Sequence, residues 1–119
     1  MDNKSFAIDL EKRTLKFALQ IIHISASLPY SQESKVVRNQ LTKSGTSIGA
    51  NYREVNRSRS KADFYHKIKI CETESSETCY WLELIRHMKW CDEQLVDVAT
   101  KEAHELLAIF TSIAMKFKL

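Results

Sequence analysis

Four basic side chains lie close together in the middle of the chain, and they could bind phosphate. They are Arg53, Arg57, Arg59 and Lys61. A guanidinium group is planar and donates two hydrogen bonds at once, which suits the oxygens of a phosphate. Because Arg53 and Arg57 are four residues apart, a helix would present them on one face. The hypothesis is a contact with the backbone of RNA or DNA that does not depend on base sequence. The alternative is a solvated turn, neutralised by Glu54 or by acids of a neighbouring subunit.

The surrounding chain extends this positive charge in both directions. Arg38 and Lys43 precede the basic cluster, and we include both in the candidate nucleic-acid surface. From Lys35 to Lys69 there are nine Lys or Arg and two acids, a net charge of +7, whereas the whole chain carries +3. A basic middle on an acidic remainder favours an anionic partner for the middle.

Other chemistry has little support in the residue pattern. The three cysteines match no metal-ligand spacing, and His87 with Cys91 would supply only two ligands, which do not make a site. Neither a Gly-rich phosphate loop nor a nucleophile elbow is present. We therefore expect no enzyme activity, no cofactor and no metal. Reduced thiols, no signal peptide and no uncharged run near the roughly 20 residues of a membrane span predict a cytoplasmic protein that does not cross a membrane.

Four long segments of helical periodicity must position these residues. Their predicted bounds are about 4–28, 31–57, 61–89 and 93–117, with Ser31, Ser60 and Asp92 as N-caps. Pro29 ends the first segment, because the residue before a proline avoids α geometry. Four segments joined by short links in a chain of 119 residues predict a single domain. The fold class is all-α, an up-down-up-down antiparallel four-helix bundle.

The second segment contains a run of small residues at helical spacing. They are Ser44, Gly45, Gly49 and Ala50. Each glycine costs about 1 kcal/mol of helix propensity relative to alanine, so their presence needs a reason. Close approach of a neighbouring helix is one interpretation. A loop or kink near Gly45 is the other.

Two of the four segments are apolar on two sides, which predicts an oligomer. In the first segment one stripe holds Ile8, Leu15, Leu19 and Ile22, and a nearly opposite stripe holds Phe17, Ile21 and Ile24. The third segment has a second apolar strip that contains Trp81, and tryptophan is enriched at protein interfaces. The residues that we assign to the oligomer interface are Phe17, Ile21, Ile24, Ile70, Trp81 and Met88.

The stretch from Leu41 to Phe64 carries a recognisable set of residues: Leu41, Ser47, Ile48, Asn51, Glu54, Arg57, Ser58, Arg59, Ser60 and Phe64. It is similar to the small four-helix-bundle proteins encoded within intervening sequences of bacterial 23S ribosomal RNA genes. The breaks at Leu28-Pro29 and at 90–92 fall where that family turns. Val55 stands where a glycine is common in the family, and Gly49 stands where a proline is common.

The resemblance implies an assembly and a class of function. It implies a bundle that forms a homopentameric ring with a central channel. It also brings in the accessory protein of diversity-generating retroelements, which is similar in fold, basic, and works with nucleic acid and a reverse transcriptase. We therefore expect a non-enzymatic accessory protein that binds RNA or DNA, with a partner protein such as a reverse transcriptase. The alternative is a protein-interaction scaffold with no nucleic-acid role.

Overall fold

Four long helices make up the protein. The structure, a computed structural model, describes residues 3–118, and this part of the chain contains no strand. The helices are α1 (Asn3–Ser27), α2 (Gln32–Val55), α3 (Lys61–Met88) and α4 (Glu93–Lys116). The predicted all-α class and four-helix bundle are confirmed. The largest difference in bounds is at the end of α2, which stops two residues earlier than predicted. Within residues 3–118, no helix is long and apolar enough to cross a membrane.

Side-chain caps explain where three helices begin. Ser31 and Ser60 each accept a hydrogen bond from the backbone amide three residues further on, both at 3.0 Å. The Asp92 carboxylate accepts two, from amides in the first turn of α4 at 2.9 and 3.2 Å. These bonds satisfy amides that have no partner within the helix. At its other end α3 stops at Lys89, which adopts the left-handed conformation with φ 57°.

The small residues of α2 allow α1 to approach closely. A Cβ atom built on Gly45 would lie 2.7 Å from Ile21 Cγ2, and one built on Gly49 would lie 3.0 Å from Thr14 Oγ1. Both distances are shorter than ordinary van der Waals contact. Since α2 is continuous from Gln32 to Val55, the interpretation of close packing holds, and a loop near Gly45 is wrong.

Consecutive helices are neighbours in the bundle. α2 packs against α1 and α3, α3 packs against α4, and α4 returns to make a smaller contact with α1. The contacts between α1 and α2 run in opposite sequence order. Thr14 of α1 faces Gly49 of α2, and the later Ser25 accepts a hydrogen bond at 2.8 Å from the earlier Thr42.

Of the helix pairs in contact, α1 and α4 share the smallest contact, and an ion pair joins them. Arg13 binds the Glu102 carboxylate through two nitrogens, at 2.6 and 2.7 Å, and its Nη2 also lies 3.2 Å from Glu105 Oε1. These acids raise the pKa of the Arg13 guanidinium, with the hydrogen bonds to Glu102 as the largest cause. The pair adds a polar contact between α1 and α4.

The structure corrects our assignment of the two faces of α1. Phe17 and Ile21 are fully buried within the protomer and Ile24 is only 3% exposed, so placing these three at an oligomer interface is wrong. They form the core, because this stripe is the one that meets the glycines of α2. The opposite stripe, which we call the outer strip of α1, is 44–52% exposed and consists of Ile8, Leu15, Leu19 and Ile22.

The second apolar strip of α3 is partly covered within the protomer. Ile70 and Trp81 are half-buried, and Met88 is 53% exposed. Trp81 packs against the core, and its ring lies 5.0 Å from that of Tyr80 in an edge-to-face arrangement. The role of this strip in an oligomer stays a prediction.

Candidate nucleic-acid interface

The link between α2 and α3, residues 56–60, is held in place by side-chain hydrogen bonds. Asn56 Nδ2 donates to Glu11 Oε2 at 2.8 Å, which joins the link to α1. The Ser58 hydroxyl donates to the Val55 carbonyl at 2.6 Å, which holds the link against the end of α2. The link is therefore an ordered surface that presents the side chains between its anchors.

Arg53 and Arg57 do not share a regular helix face as expected. α2 ends at Val55, and the Arg57 amide donates to the Glu54 carbonyl at 3.1 Å in a turn. Both arginine side chains are exposed. The ion pair between Arg57 and Glu54 that the sequence suggested is not formed among the described residues.

Asp63 stabilises the far side of the link. Its Oδ2 accepts hydrogen bonds from Lys67 Nζ at 3.0 Å and from the Arg59 amide at 3.2 Å. The bond from Lys67 is the main cause that lowers the pKa of Asp63, and the Arg59 amide adds to it. This carboxylate therefore binds the backbone of Arg59, while the Arg59 guanidinium makes no hydrogen bond within residues 3–118.

The six arginines of the chain divide into two groups. Arg13 binds Glu102 and Arg86 lies 3.5 Å from Asp97, so both are in ion pairs between helices. Arg38 is engaged by backbone carbonyls. The side chains of Arg53, Arg57 and Arg59 have no hydrogen bond or ion pair to any described residue. These three arginines therefore lie within one segment of seven residues, and of their charges only that of Arg59 acts on the pKa of Asp63.

A cavity of about 800 Å³ opens beside this link, at the end of the bundle where α1 and α3 begin and α2 and α4 end. Its charged lining residues are Arg59, Lys61 and Lys116, and the described lining includes no Asp or Glu. We call it the basic cavity. Its apolar lining consists of Phe6, Ala7, Tyr52, Val55, Phe64, Ile113 and Phe117.

Lys116 is a site residue that the sequence analysis did not place in the basic surface. It lies more than fifty positions from Lys61, and only the packing of α4 brings it to the same end. The order and direction of the helices could have indicated its position. In a bundle of four consecutive antiparallel helices, the end of α4 and the link between α2 and α3 share one end.

The structure separates Arg38 from the other candidate residues. Its Nε donates to the Ser25 carbonyl at 3.1 Å, and its Nη2 donates to the carbonyls of Leu28 and Pro29 at 3.1 and 3.0 Å. Arg38 therefore caps the end of α1. Along the axis of α2, Arg38 and Arg53 are about 22 Å apart, at 1.5 Å per residue. The bonds to these carbonyls use Nε and Nη2 of the Arg38 guanidinium, and the assignment of Arg38 to the nucleic-acid surface stays a prediction.

Lys43 is exposed but lies outside the basic cavity. It precedes Arg53 by about 15 Å along α2. The pKa of Glu74 on α3 is raised, mainly by burial, and the charge of Lys43 partly opposes this rise. One oxygen of that carboxylate, Oε2, is buried without a hydrogen-bond partner. The charge of Lys43 thus favours the ionised form of a half-buried acid on the neighbouring helix.

The cysteines and acids form no further site in the part of the chain that is described. Residues 3–118 contain no group of three His, Cys, Asp or Glu that could hold a metal ion. Cys71 and Cys79 are buried, and burial raises the pKa of Cys71 to about 12. Such a thiol is mostly protonated at neutral pH and is a weak nucleophile.

Fold and site together define a class of protein: an all-α four-helix bundle whose end at the basic cavity is cationic. The chain belongs to the 23S rRNA-intervening sequence protein family, which matches residues 7–112. It is similar to a crystal structure from Bacteroides thetaiotaomicron, described as a protein with unknown function from the S23 ribosomal protein family. That similarity has a TM-score of 0.80 and 34% sequence identity, and it covers 87% of this chain and 96% of the other. Comparison with curated proteins found no match.

Proposed function

We propose that this protein is a non-enzymatic accessory protein that binds the backbone of RNA or DNA through its cationic end. The binding residues are Arg53, Arg57, Arg59 and Lys61, and Lys116 joins them. One observation carries the proposal: the side chains of Arg53, Arg57 and Arg59 make no hydrogen bond or ion pair with a described residue, and Arg59 lines a cavity whose described lining includes no acid.

The geometry of the segment fits a phosphate chain. Arg57, Arg59 and Lys61 occupy alternate positions, so their Cα atoms lie within about 14 Å of one another. Successive phosphates of one nucleic-acid strand are several ångströms apart, so these side chains can reach neighbouring phosphates. A contact of this kind depends on charge and positioning and carries no information about base sequence.

The same proposal includes a homo-oligomer of up-down-up-down bundles, with five copies implied by the family resemblance. The opposed sequence order of the α1–α2 contacts supports the topology. The outer strip of α1 supports the assembly, since residues such as Leu19 expose apolar surface that a second copy could cover. In a ring the cationic ends would repeat around the axis, and their fields would add.

Native mass measurement tests the assembly. We expect Leu19→Glu to reduce the native mass to that of a smaller species, because a charge buried in an apolar interface is unfavourable. Trp81→Glu tests the strip of α3 in the same way. Ser112→Glu, at an exposed position of α4, is the control and should leave the mass unchanged. If Leu19→Glu and Trp81→Glu both keep the wild-type mass, neither strip is an interface.

A salt series tests the proposed function. Binding of a fluorescently labelled structured RNA hairpin is measured by anisotropy between about 50 and 200 mM salt. Each phosphate contact contributes roughly 0.7–0.9 to the slope of log K against log salt. Changing Arg53, Arg57 and Arg59 together to Gln should therefore flatten the slope by roughly 2–3.

A matched variant separates a local site from net charge. Lys12, Lys16 and Lys101 are exposed and make no ion pair among the described residues, so changing all three to Gln removes the same charge elsewhere. This variant should keep most of the wild-type slope. Equal loss in both triple variants would contradict a local site. Absence of binding by the wild type would favour the scaffold, whose partner is a protein such as a reverse transcriptase.

A further inference from the structure

We infer that the basic cavity holds one unstacked nucleotide, with its base against aromatic side chains and its phosphate at Arg59 and Lys61. This inference rests on the proposed function and specifies its ligand. A single-stranded or bulged nucleotide would be favoured over a continuous duplex.

The aromatic lining is the first argument, because backbone binding alone does not need it. Phe6 and Phe117 are 43% and 44% exposed at the cavity. The ring of Phe64 lies 5.0 Å from that of Phe117, in an edge-to-face arrangement. Bases that are not paired in a helix stack on such rings in many complexes of protein with single-stranded nucleic acid.

The size and charge of the cavity agree with this ligand. Its volume of about 800 Å³ falls within the range of roughly 300–1,000 Å³ of small-ligand sites. The lining combines an apolar floor that includes Tyr52 and Val55 with cations at Arg59, Lys61 and Lys116. A nucleotide has the matching pair of properties, a flat apolar face and an anionic group.

The start of α3 supplies a second group of phosphate donors. Ser60 is the N-cap, and its hydroxyl accepts the amide of Asp63. The amides of Lys61 and Ala62 have no hydrogen-bond partner within residues 3–118. Free amides at a helix N-terminus, together with the helix dipole, bind anions. They would hold the phosphate at the rim while the base lies deeper among the rings.

Three RNA hairpins with the same stem test the inference. One has a single-adenosine bulge, one has an abasic bulge, and one has no bulge. One stacked base contributes about 1–3 kcal/mol, so the wild type should bind the adenosine bulge roughly 5- to 150-fold more tightly than the abasic bulge. Phe117→Ala should lose most of this preference but keep its binding to the hairpin without a bulge.

Two further variants control for unfolding. Phe6→Ala removes a second ring of the cavity from an exposed position and should reduce the same preference, even if Phe117→Ala disturbs the end of α4. Tyr80→Ala removes a ring that is 55% exposed and does not line the cavity, and it should keep the full preference.

The outcomes distinguish this inference from the proposed function. If the wild type binds all three hairpins equally with a steep salt slope, the backbone site stands and the nucleotide pocket is refuted. If Tyr80→Ala loses the preference as much as Phe117→Ala, the cavity is not the binding site. If no hairpin binds, the proposed function fails and this inference fails with it. Binding of an acidic peptide that contains an aromatic residue, in the absence of RNA binding, would then identify the cavity as a protein site.

Discussion

Replacing Gly45 by Ala tests the packing of α1 on α2. The added Cβ would lie 2.7 and 2.8 Å from the two γ carbons of Ile21, and Ile21 is fully buried and cannot turn into solvent. Overpacking of this kind costs about 1–3 kcal/mol, and two overlaps in a rigid site place it in the upper part of that range. The better helix propensity of alanine returns about 1 kcal/mol. We expect a net loss of about 1–2 kcal/mol in the free energy of unfolding.

Gly49→Ala is the matched control within the same helix. Its Cβ would lie 3.0 Å from Thr14 Oγ1 and 3.2 Å from Thr14 Cβ, so the overlap is smaller. The gain in helix propensity should nearly cancel this cost, and we expect a change within about 0.5 kcal/mol. The two variants share the same chemical change and differ in the neighbour that the new methyl group meets.

Urea unfolding followed by circular dichroism at 222 nm measures the effect. Protein concentration must be fixed, because association adds to apparent stability. The m-value should stay unchanged, so that a shift in midpoint reports stability. Ile21→Ala removes both γ carbons, so Gly45→Ala should cost less in that background than in the wild type. Greater stability of Gly45→Ala than of both the wild type and Gly49→Ala would refute the packing described for α1 and α2.

Three other predictions concern charge and thiols. Burial raises the pKa of Glu74 above its unfolded value, so the stability that this group contributes is present at low pH and is lost as pH rises through the raised pKa. Urea titrations at several pH values should show that Glu74→Gln removes this decline. At about pH 8 a thiol reagent should modify Cys91 first in native protein, since Cys71 and Cys79 are buried, and mass spectrometry after digestion would locate the label. Arg13→Gln should lower the free energy of unfolding by roughly 1 kcal/mol, because its ion pair is partly exposed, and thermal unfolding would show a lower midpoint.

The helices and their starts are predictable from sequence because local chemistry determines them. Ser31, Ser60 and Asp92 act as N-caps through bonds to amides two or three residues away. Glycines at helical spacing similarly indicate close packing, and the contact of Gly45 with α1 confirms this. These features need no knowledge of distant residues.

The face of α1 that forms the core was not predictable in the same way. Its two opposite stripes are both apolar, and periodicity alone does not rank them. The deciding contact is tertiary: Ile21 fits the space left by Gly45, whereas Leu15 and Leu19 point away from the bundle. Which of the two stripes is exposed is therefore known only from the packing of the protomer.

The candidate site was predictable in part. The exposed positions of Arg57, Arg59 and Lys61 agree with the expected basic surface, because a short link between helices is solvent-accessible. The role of Arg38 at the end of α1 was not predictable, because its partners are backbone carbonyls, which sequence does not mark. Lys116 and the aromatic cavity depend on the meeting of chain segments far apart in sequence.

The bond between Asn56 and Glu11 has a consequence for binding. It joins the link to α1 in the unbound protein, so binding of a ligand must order the cationic side chains but not the backbone that carries them, and less affinity is lost to ordering. Asn56→Ala removes the donor of this hydrogen bond and changes no charge. Affinity should fall while the number of phosphates contacted, and hence the salt dependence, stays the same. Glu11, an acid on α1, thus helps to position a cationic surface although it makes no ion pair with the cations.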